Sequence, residues 1–207
     1  MNTEGNLGFI PAILLIVFML IGATAASVIM NKTTNSSEKD YTQMVNEVVD
    51  DLSNYITINN VVGKYDEVNG KYQIQKLAIM IRPLISTQID TSKIIIKISN
   101  GEHLYILSPT GQVTLIGTSS VFSNPVWGNT PQGTFSFISI VDDDSSLINH
   151  KVINKNTDTQ FIIINLPQDL IMHYGDTMDV ALIPSPGTQR TLALEAPLPT
   201  THVVSLY

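Results

Sequence analysis

The sequence predicts an α+β protein in which a long N-terminal hydrophobic α-helix precedes an antiparallel β-sandwich of Ig-like or jelly-roll-like type. Two observations carry this prediction. No ionisable side chain lies between Glu4 and Lys32, and most residues of that stretch are apolar. From about Tyr72 onward, short β-branched and aromatic runs alternate with turn-forming residues, a pattern typical of antiparallel β-domains.

The apolar stretch is long enough to cross a membrane. From Leu7 to Met30 it would span about 36 Å as an α-helix, against about 30 Å for the hydrocarbon core of a bilayer. A cleaved secretory signal and a permanent membrane anchor are two interpretations, and both usually carry basic flanking residues, which are absent from residues 1–5. A third interpretation is a helix that resides in the membrane first and later packs against other copies of itself.

Small residues in the second half of this helix favour the third interpretation. Gly22 and Ala26 are four residues apart, as are Ala23 and Ser27, and this spacing lets helix backbones approach closely in apolar surroundings. The predicted assembly helix comprises Ile13, Leu14, Ile16, Val17, Phe18, Leu20, Ile21, Gly22, Ala23, Ala26 and Ser27.

A second helical pattern follows a polar break at residues 31–37. Apolar residues recur there every three or four positions, at Tyr41, Met44, Val45, Val48, Val49, Leu52, Tyr55 and Ile56. We therefore expect two domains: a helical segment over residues 1–60, which packs against other copies of itself, and a β-sandwich over residues 61–207.

The β-domain is expected to contain eight short strands separated by turns. Asn100-Gly101 is the strongest hairpin signal, because both residues tolerate the positive φ that a two-residue hairpin turn needs. Asn69-Gly70 and the segment 109–111 are further turn signals. The predicted strands cover residues 72–81, 94–99, 103–108, 112–116, 135–141, 161–166, 178–183 and 202–206.

Composition excludes several functions. The net charge of −7 with no cluster of basic residues disfavours nucleic-acid binding. The chain has no cysteine, so disulfides, thiol nucleophiles and cysteine-bound zinc are excluded. The four histidines do not have the spacing of a metal site, and the match of residues 36–39 to a Ser-x-x-Lys pattern lacks its companion motifs. We predict no catalytic residue and no certain cofactor.

Two kinds of non-catalytic site are predicted. Asp142, Asp143 and Asp144 place several carboxylates in one loop, which suits a calcium ion; the alternative is a solvated turn after a strand. Asn31 and Asn35 each begin an Asn-x-Ser/Thr glycosylation sequon, and Asn35 lies further from the apolar helix.

Several segments, in order, resemble the archaellins, the filament subunits of the archaeal motility organelle. These segments are the apolar helix ending in the run from Ala25 to Asn31, the segments 75–83 and 89–101, the acidic loop, Gly175-Asp176 before a late strand, and the final Leu206-Tyr207. The order and spacing of these segments carry the resemblance, because no single one is specific. A basic leader before a cleavage site is not present, which departs from the family pattern.

The resemblance implies an extracellular filament built by self-assembly, or with paralogous archaellins, after a membrane-inserted stage. It also implies export and assembly machinery, and a prepilin-type peptidase if the precursor carries a leader. Two rival interpretations remain at this point: an archaeal adhesive pilin of the type IV class, and a membrane-anchored β-sandwich that serves as a stator or surface component of the same machine.

Overall fold

The computed structural model describes residues 15, 18–19, 56–118, 120–185 and 187–207. The chain divides into two compact units, residues 1–48 and 49–207. In the first unit the described residues are Leu15, Phe18 and Met19, all α-helical. In the second unit the described residues are mostly β-sheet, which confirms the predicted β-domain at the level of fold class.

The second unit is built mainly from strands. Those within the described ranges are β1 (Ile56–Val68), β2 (Lys71–Pro83), β3 (Ile89–Asp90), β4 (Ile95–Ser99), β5 (Leu104–Leu115), β6 (Thr134–Val141), β7 (Val152–Ile153), β8 (Thr159–Asn165), β9 (Thr177–Ile183), β10 (Arg190–Glu195) and β11 (Val203–Ser205). A short helix, α1 (Ser146–His150), lies between β6 and β7, and 3-10 turns cover Thr91–Lys93, Val121–Ser123, Pro125–Asn129 and Gln168–Leu170.

Nine of these strands form one curled sheet in the order β10-β9-β4-β5-β6-β8-β2-β1-β11, while β3 and β7 pair separately. The neighbours run antiparallel except for β5 and β6, which are parallel. This corrects the prediction of a purely antiparallel domain. The parallel pair arises because residues 116–133 carry the chain back across the sheet before β6 begins, instead of turning it in a hairpin.

Strand β5 belongs to both halves of the sheet. Its residues 104–107 pair with β4, and its later residues pair with β6. The sequence predicted two strands here with a turn at 109–111, but the structure has one strand with a register shift between Pro109 and Val113. Pro109 lacks a backbone donor, and the hydroxyls of Thr110 and Ser136 lie 2.6 Å apart across the shift.

The first strand of the β-unit, β1, is not among the strands that the sequence predicted. Residues 56–60, which were assigned to the helical segment, form the start of β1. Alternate side chains of β1 are buried, among them Ile56, Ile58 and Tyr65, as expected for a strand with one core face. Ile56 also fitted the three-and-four spacing of the preceding helical pattern, so spacing alone could not separate the two structures.

Both faces of the central strands are covered. Leu77, Ile79 and Ile81 of β2 join a large core that also contains Ile96, Ile98, Val180 and Leu182 from the other half of the sheet. The intervening Ala78 faces a second cluster with Phe122, Val126 and Trp127. Burial on both faces explains why β2 and β8 read as continuous apolar runs instead of alternating ones.

The two ends of the β-unit meet. Val62 and Lys64 of β1 pair with Ser205 and Val203 of β11, and Leu206 donates a 2.8 Å backbone hydrogen bond to Val61. The first strand of the unit is therefore held between β2 and the last strand.

Candidate functional site

The described part of the predicted assembly helix presents an exposed apolar face. Leu15, Phe18 and Met19 are helical and are 60%, 67% and 70% exposed. Residues spaced by three and four positions share one face of a helix, so these three side chains form a continuous apolar surface. Of the predicted assembly residues, Phe18 is therefore placed; Ile13, Leu14, Ile16, Val17, Leu20, Ile21, Gly22, Ala23, Ala26 and Ser27 lie outside the described residues.

The membrane and glycosylation predictions also fall largely outside the described ranges. Among the helices within those ranges, none is long and apolar enough to cross a bilayer. Asn31 and Asn35 lie outside the described residues, so their modification stays a prediction.

The acidic loop after β6 is organised by hydrogen bonds to the backbone of α1. The Asp142 carboxylate accepts hydrogen bonds from the amides of Ser146 at 3.0 Å and Leu147 at 3.1 Å. Asp144 accepts from the Ser146 amide at 3.1 Å and from the Asn154 side chain at 2.7 Å. Two of the three predicted metal ligands thus converge on the start of α1, where carboxylates satisfy amides that have no intrahelical partner.

The two carboxylates differ electrostatically. Burial raises the pKa of Asp142, and the nearby negative charge of Asp158 acts in the same direction. The hydrogen bond from Asn154 lowers the pKa of Asp144 far below its usual value, with further lowering from the Ser146 amide and Lys155. Asp144 is therefore stabilised as an anion, whereas burial disfavours the charged form of Asp142.

A buried carboxylate oxygen without a partner lies beside this loop. Asp158 is 2% exposed; its Oδ2 accepts hydrogen bonds from the amides of Asn154 and Lys155, whereas its Oδ1 has no hydrogen-bond partner. Ser139 and Gln160, which face each other across β6 and β8, also hold buried polar atoms without partners. Within the described ranges, no group of three or more acidic or histidine side chains is arranged to hold a metal ion.

The outer surface of the second half of the sheet is the other candidate site. Ile95 of β4 and Leu104 and Ile106 of β5 are 43%, 55% and 69% exposed. Lys97 lies directly opposite Ile106 on one side and Ala181 on the other. A depression of about 330 Å³ is lined there by Lys97, Ser99, Leu104, Asp179, Ala181, Gln189 and Thr191. We call the surface formed by Ile95, Lys97, Leu104, Ile106 and Ala181 the open face.

Neither Asp158 nor the open face was identified from sequence. Asp158 lies alone in a polar loop, so nothing in the sequence links it to Asp142. Ile94, Ile95 and Ile96 form a continuous apolar run, which a sequence reading treats as buried on both sides. The sequence feature that could have indicated the open face is in β5. Leu104 and Ile106 alternate there with Tyr105 and Leu107, so both faces of the strand carry apolar side chains.

Comparison with known proteins matches this chain to one protein family. The family model for archaeal-type flagellin matches residues 5–194. Flagellin B3 of Methanocaldococcus jannaschii is 32% identical over 221 residues, covering 99% of this chain and 96% of that protein. The match extends from the apolar segment through the β-unit.

Two solved structures share the fold. The crystal structure of archaeal flagellin FlaB1 from Methanocaldococcus jannaschii has a TM-score of 0.65 at 24% identity, covering 73% of this chain and 95% of that chain. The archaeal flagellum of Methanospirillum hungatei strain JF1 has a TM-score of 0.51 at 13% identity, covering 92% and 93% of the two chains.

Proposed function

The chain belongs to the archaeal-type flagellin family, and we propose that its apolar N-terminal helix packs against the same helix of neighbouring subunits. Membership makes the protein a structural subunit of the extracellular archaellum filament and not an enzyme, as the resemblance predicted. The rival assignments as an adhesive pilin or a stator do not account for a family match over residues 5–194.

The observation that carries the helix-packing proposal is the exposure of Leu15, Phe18 and Met19 on one helical face. Removing such a side chain from water is worth about 1.5–3 kcal/mol. In a bilayer these groups are already away from water, so transfer into the polymer needs closer packing than lipid offers. The small residues Gly22 and Ala26 supply a surface for that close approach.

Substitutions at this surface test the proposal. Gly22→Leu or Ala26→Leu should abolish filaments while the protein still fractionates with membranes, because the added side chain separates the helices without reducing their apolarity. Gly22→Ala is the matched control and should retain filaments. Electron microscopy of cell-surface filaments, with immunoblots of the membrane fraction, gives both readouts. Normal filaments from both leucine variants would refute helix packing at this surface.

Partners and processing follow from the same proposal. The polymer contains copies of this chain, alone or with paralogous archaellins. A membrane-inserted stage before assembly requires export and assembly machinery, and a prepilin-type peptidase if the precursor has a leader. Mass spectrometry of detached filaments measures the mature N-terminus, the subunit types present and any glycan on Asn31 or Asn35.

Calcium binding by the acidic loop is a separate proposal. The unpartnered Oδ1 of buried Asp158 supports it, because calcium ions bind carboxylate oxygens and this one is not engaged in a hydrogen bond. Asp142 is close enough for the charge of Asp158 to act on it, so a cation between them would balance two carboxylates. Asp143 and Asp144 complete the predicted set.

Thermal unfolding in calcium or in a chelator tests this proposal. A ligand that binds the folded state raises the unfolding temperature with its concentration. Asp158→Asn should remove the calcium response, whereas Asp66→Asn, on a distant hairpin, should keep it. An unfolding temperature that is the same in calcium and in chelator would contradict calcium binding.

A further inference from the structure

The chain contains two Asn-Gly turns, and their surroundings differ. Asn69-Gly70 joins β1 to β2, and Asn100-Gly101 lies between β4 and β5. All four residues are exposed. Because glycine has no β-carbon, the backbone nitrogen that follows each asparagine is sterically open to the asparagine side chain. The same reactive dipeptide therefore occurs twice in one chain, in two environments that can be compared.

We propose that Asn69 deamidates spontaneously in the folded protein, whereas Asn100 is protected. The backbone nitrogen of Gly70 gives up its proton to water and bonds to the side-chain carbonyl carbon of Asn69, which closes a succinimide ring. The side-chain nitrogen of Asn69 takes up a proton and leaves as ammonia. Water then opens the ring at either carbonyl and yields aspartate or isoaspartate. Water is the one co-reactant, and the reaction is independent of how subunits pack in the filament.

Both groups that react at the first turn are free. Among the residues that the structure describes, none forms a hydrogen bond with the side chain of Asn69 or with the backbone amide of Gly70. A side chain without a partner can rotate towards the nitrogen without breaking a contact. An amide that is open to water can lose its proton to the solvent. Neither requirement of the reaction is therefore opposed by a hydrogen bond.

The hairpin that carries this turn extends beyond the neighbouring strands. β8 pairs with β2 over residues 76–81, and β11 pairs with β1 over residues 62–64. Residues 66–73 consequently form ladder pairs with each other alone, within the described ranges. A two-stranded ribbon is marginally stable in water, so the end of the hairpin can open locally while the domain stays folded. Local opening gives the backbone at Asn69 the freedom that ring closure needs.

The side chain of Asn100 is held at both ends. Its oxygen accepts hydrogen bonds from the backbone amides of Glu102 at 3.2 Å and His103 at 2.8 Å. Its nitrogen donates a 3.1 Å hydrogen bond to the carbonyl of Asp169, which is distant in sequence. The turn is thereby attached to the body of the domain, and its asparagine cannot rotate without losing three hydrogen bonds.

The attacking nitrogen of the second turn is also engaged. The amide of Gly101 donates a 3.1 Å hydrogen bond to Oγ of Ser99. Ring closure at Asn100 must therefore break four hydrogen bonds that have no counterpart at Asn69. A tenfold difference in rate needs only about 1.4 kcal/mol in the barrier, which four hydrogen bonds exceed. We expect Asn69 to react at least about tenfold faster than Asn100.

The product changes the surface of the subunit. Each converted turn gains one carboxylate, so the net charge of −7 becomes more negative by one. Isoaspartate also lengthens the backbone by one methylene group, in a turn where Asn69 and Gly70 both have positive φ. Because the reaction does not reverse, subunits that remain longer in a filament carry more of the product.

Peptide mass spectrometry of the full-length protein measures both positions. Folded protein in detergent is incubated in mildly alkaline buffer made with isotopically labelled water, so that only residues converted during the incubation carry the label. Labelled product is expected at Asn69, with at least about tenfold less at Asn100. The same protein in urea is the control, and there the two positions should react alike. Equal rates in the folded protein, or no product at Asn69 while the chain in urea reacts, would overturn the proposal.

A substitution identifies the attacking nitrogen. Gly70→Ala places a β-carbon beside that nitrogen and should slow the reaction at Asn69 by at least about tenfold, while Asn100 in the same variant is unchanged. The comparison is made in urea, because alanine is strained at the positive φ of this turn in the folded protein. An unchanged rate at Asn69 would show that the product arises by another route and would overturn the proposal.

Discussion

The hydroxyl of Tyr65 donates a 2.6 Å hydrogen bond to the carbonyl oxygen of Pro197. This contact joins β1 to the segment that follows β10. In the nine-stranded sheet, β1 and β10 lie towards opposite ends of the strand order. Tyr65 is 1% exposed and its ring also meets Tyr72 edge-on, with ring centroids 6.5 Å apart. One side chain thus ties the two halves of the curled sheet together.

Tyr65→Phe should lower the free energy of unfolding by about 1 kcal/mol, because it removes one hydrogen bond and keeps the ring packing. Tyr65→Ala should cost about 3–5 kcal/mol, since it also leaves a cavity. Denaturant unfolding followed by circular dichroism measures both. Equal losses in the two variants would show that the hydroxyl, and not the ring, supplies the stability.

The same hydroxyl predicts a loss of stability at alkaline pH. Burial raises the pKa of Tyr65, and the charge of Asp176 adds to the effect. The interactions that raise the pKa of Tyr65 in the folded state contribute stability. This contribution is fully present below the unfolded-state pKa of about 10 and is lost as the pH rises through the folded-state pKa. The difference in unfolding free energy between the unaltered protein and Tyr65→Phe should therefore shrink above about pH 10. A difference that stays constant to higher pH would contradict this.

An acid-dependent contribution is expected from Asp90, which caps the Thr91–Lys93 turn. Its Oδ1 accepts hydrogen bonds from the amide of Ser92 at 3.0 Å and from its hydroxyl at 2.6 Å. The Ser92 hydroxyl lowers the pKa of Asp90, and Lys93 contributes. The stability that the Asp90 cap contributes is present above the unfolded-state pKa of about 3.9 and is lost as the pH falls through the folded-state pKa.

Asp90→Ala should cost about 0.5–2 kcal/mol at pH 7, as for other lost caps. Asp90→Asn keeps an acceptor, so it should cost less and should not follow the titration of Asp90. Comparing unfolding free energies of the three proteins at pH 7 and pH 2 isolates the titrating part. If the gap between Asp90→Asn and the unaltered protein is as large at pH 2 as at pH 7, the carboxylate charge is not the cause.

Trp127, the one tryptophan of the chain, reports on the crossover that covers the sheet. Its indole nitrogen donates a 2.8 Å hydrogen bond to the carbonyl of Val121, and its ring stacks on Phe122 with centroids 5.7 Å apart. Trp127→Ala should lower the unfolding free energy by about 3–5 kcal/mol. Lys76, whose ammonium lies 5.3 Å from the ring centroid, gives a control: Lys76→Met should cost no more than about 1 kcal/mol. Trp127→Ala with unchanged stability would show that the crossover is not part of the cooperative fold.

Gly63 of β1 predicts a steric limit. A β-carbon there would lie 2.9 Å from Cγ2 of Ile74 and 3.0 Å from Cδ1 of Leu206. Gly63→Ala should therefore destabilise the β-domain by about 1–3 kcal/mol, as overpacking does. Gly128, where a β-carbon meets nothing within 4 Å, is the control, and Gly128→Ala should be neutral within about 0.5 kcal/mol. Equal effects at the two positions would mean that the side chains of Ile74 and Leu206 move aside without cost.

Strands with continuous apolar runs were predictable from sequence, because burial on one or both faces leaves a direct signal. This holds for β2, β6, β8 and β9. The hairpin predicted at Asn100-Gly101 is confirmed between β4 and β5, but its loop spans residues 100–103 instead of two residues, and of the predicted pair only Gly101 has positive φ. β1 was missed because Gly63, Lys64 and Asp66 interrupt its apolar residues. The two-residue strands β3 and β7 are too short for any periodic pattern to show.

The sites were less predictable than the strands. The acidic loop could be found because its carboxylates are consecutive, whereas Asp158 joins it only through the pairing of β6 with β8. The parallel pairing of β5 and β6 depends on the path of residues 116–133, which no local pattern specifies. The open face depends on which half of the sheet that path covers, so it too becomes visible only in three dimensions.

The pairing of β1 with β11 has a consequence for biosynthesis. At about 5–20 residues per second, the ribosome needs on the order of ten seconds to proceed from residue 68 to residue 205. During that time one edge of β1 has unpaired amides and carbonyls, which can pair with a strand of another nascent chain. Aggregation between nascent chains on one polysome is therefore a risk until Val203–Ser205 pairs with β1 and covers this edge.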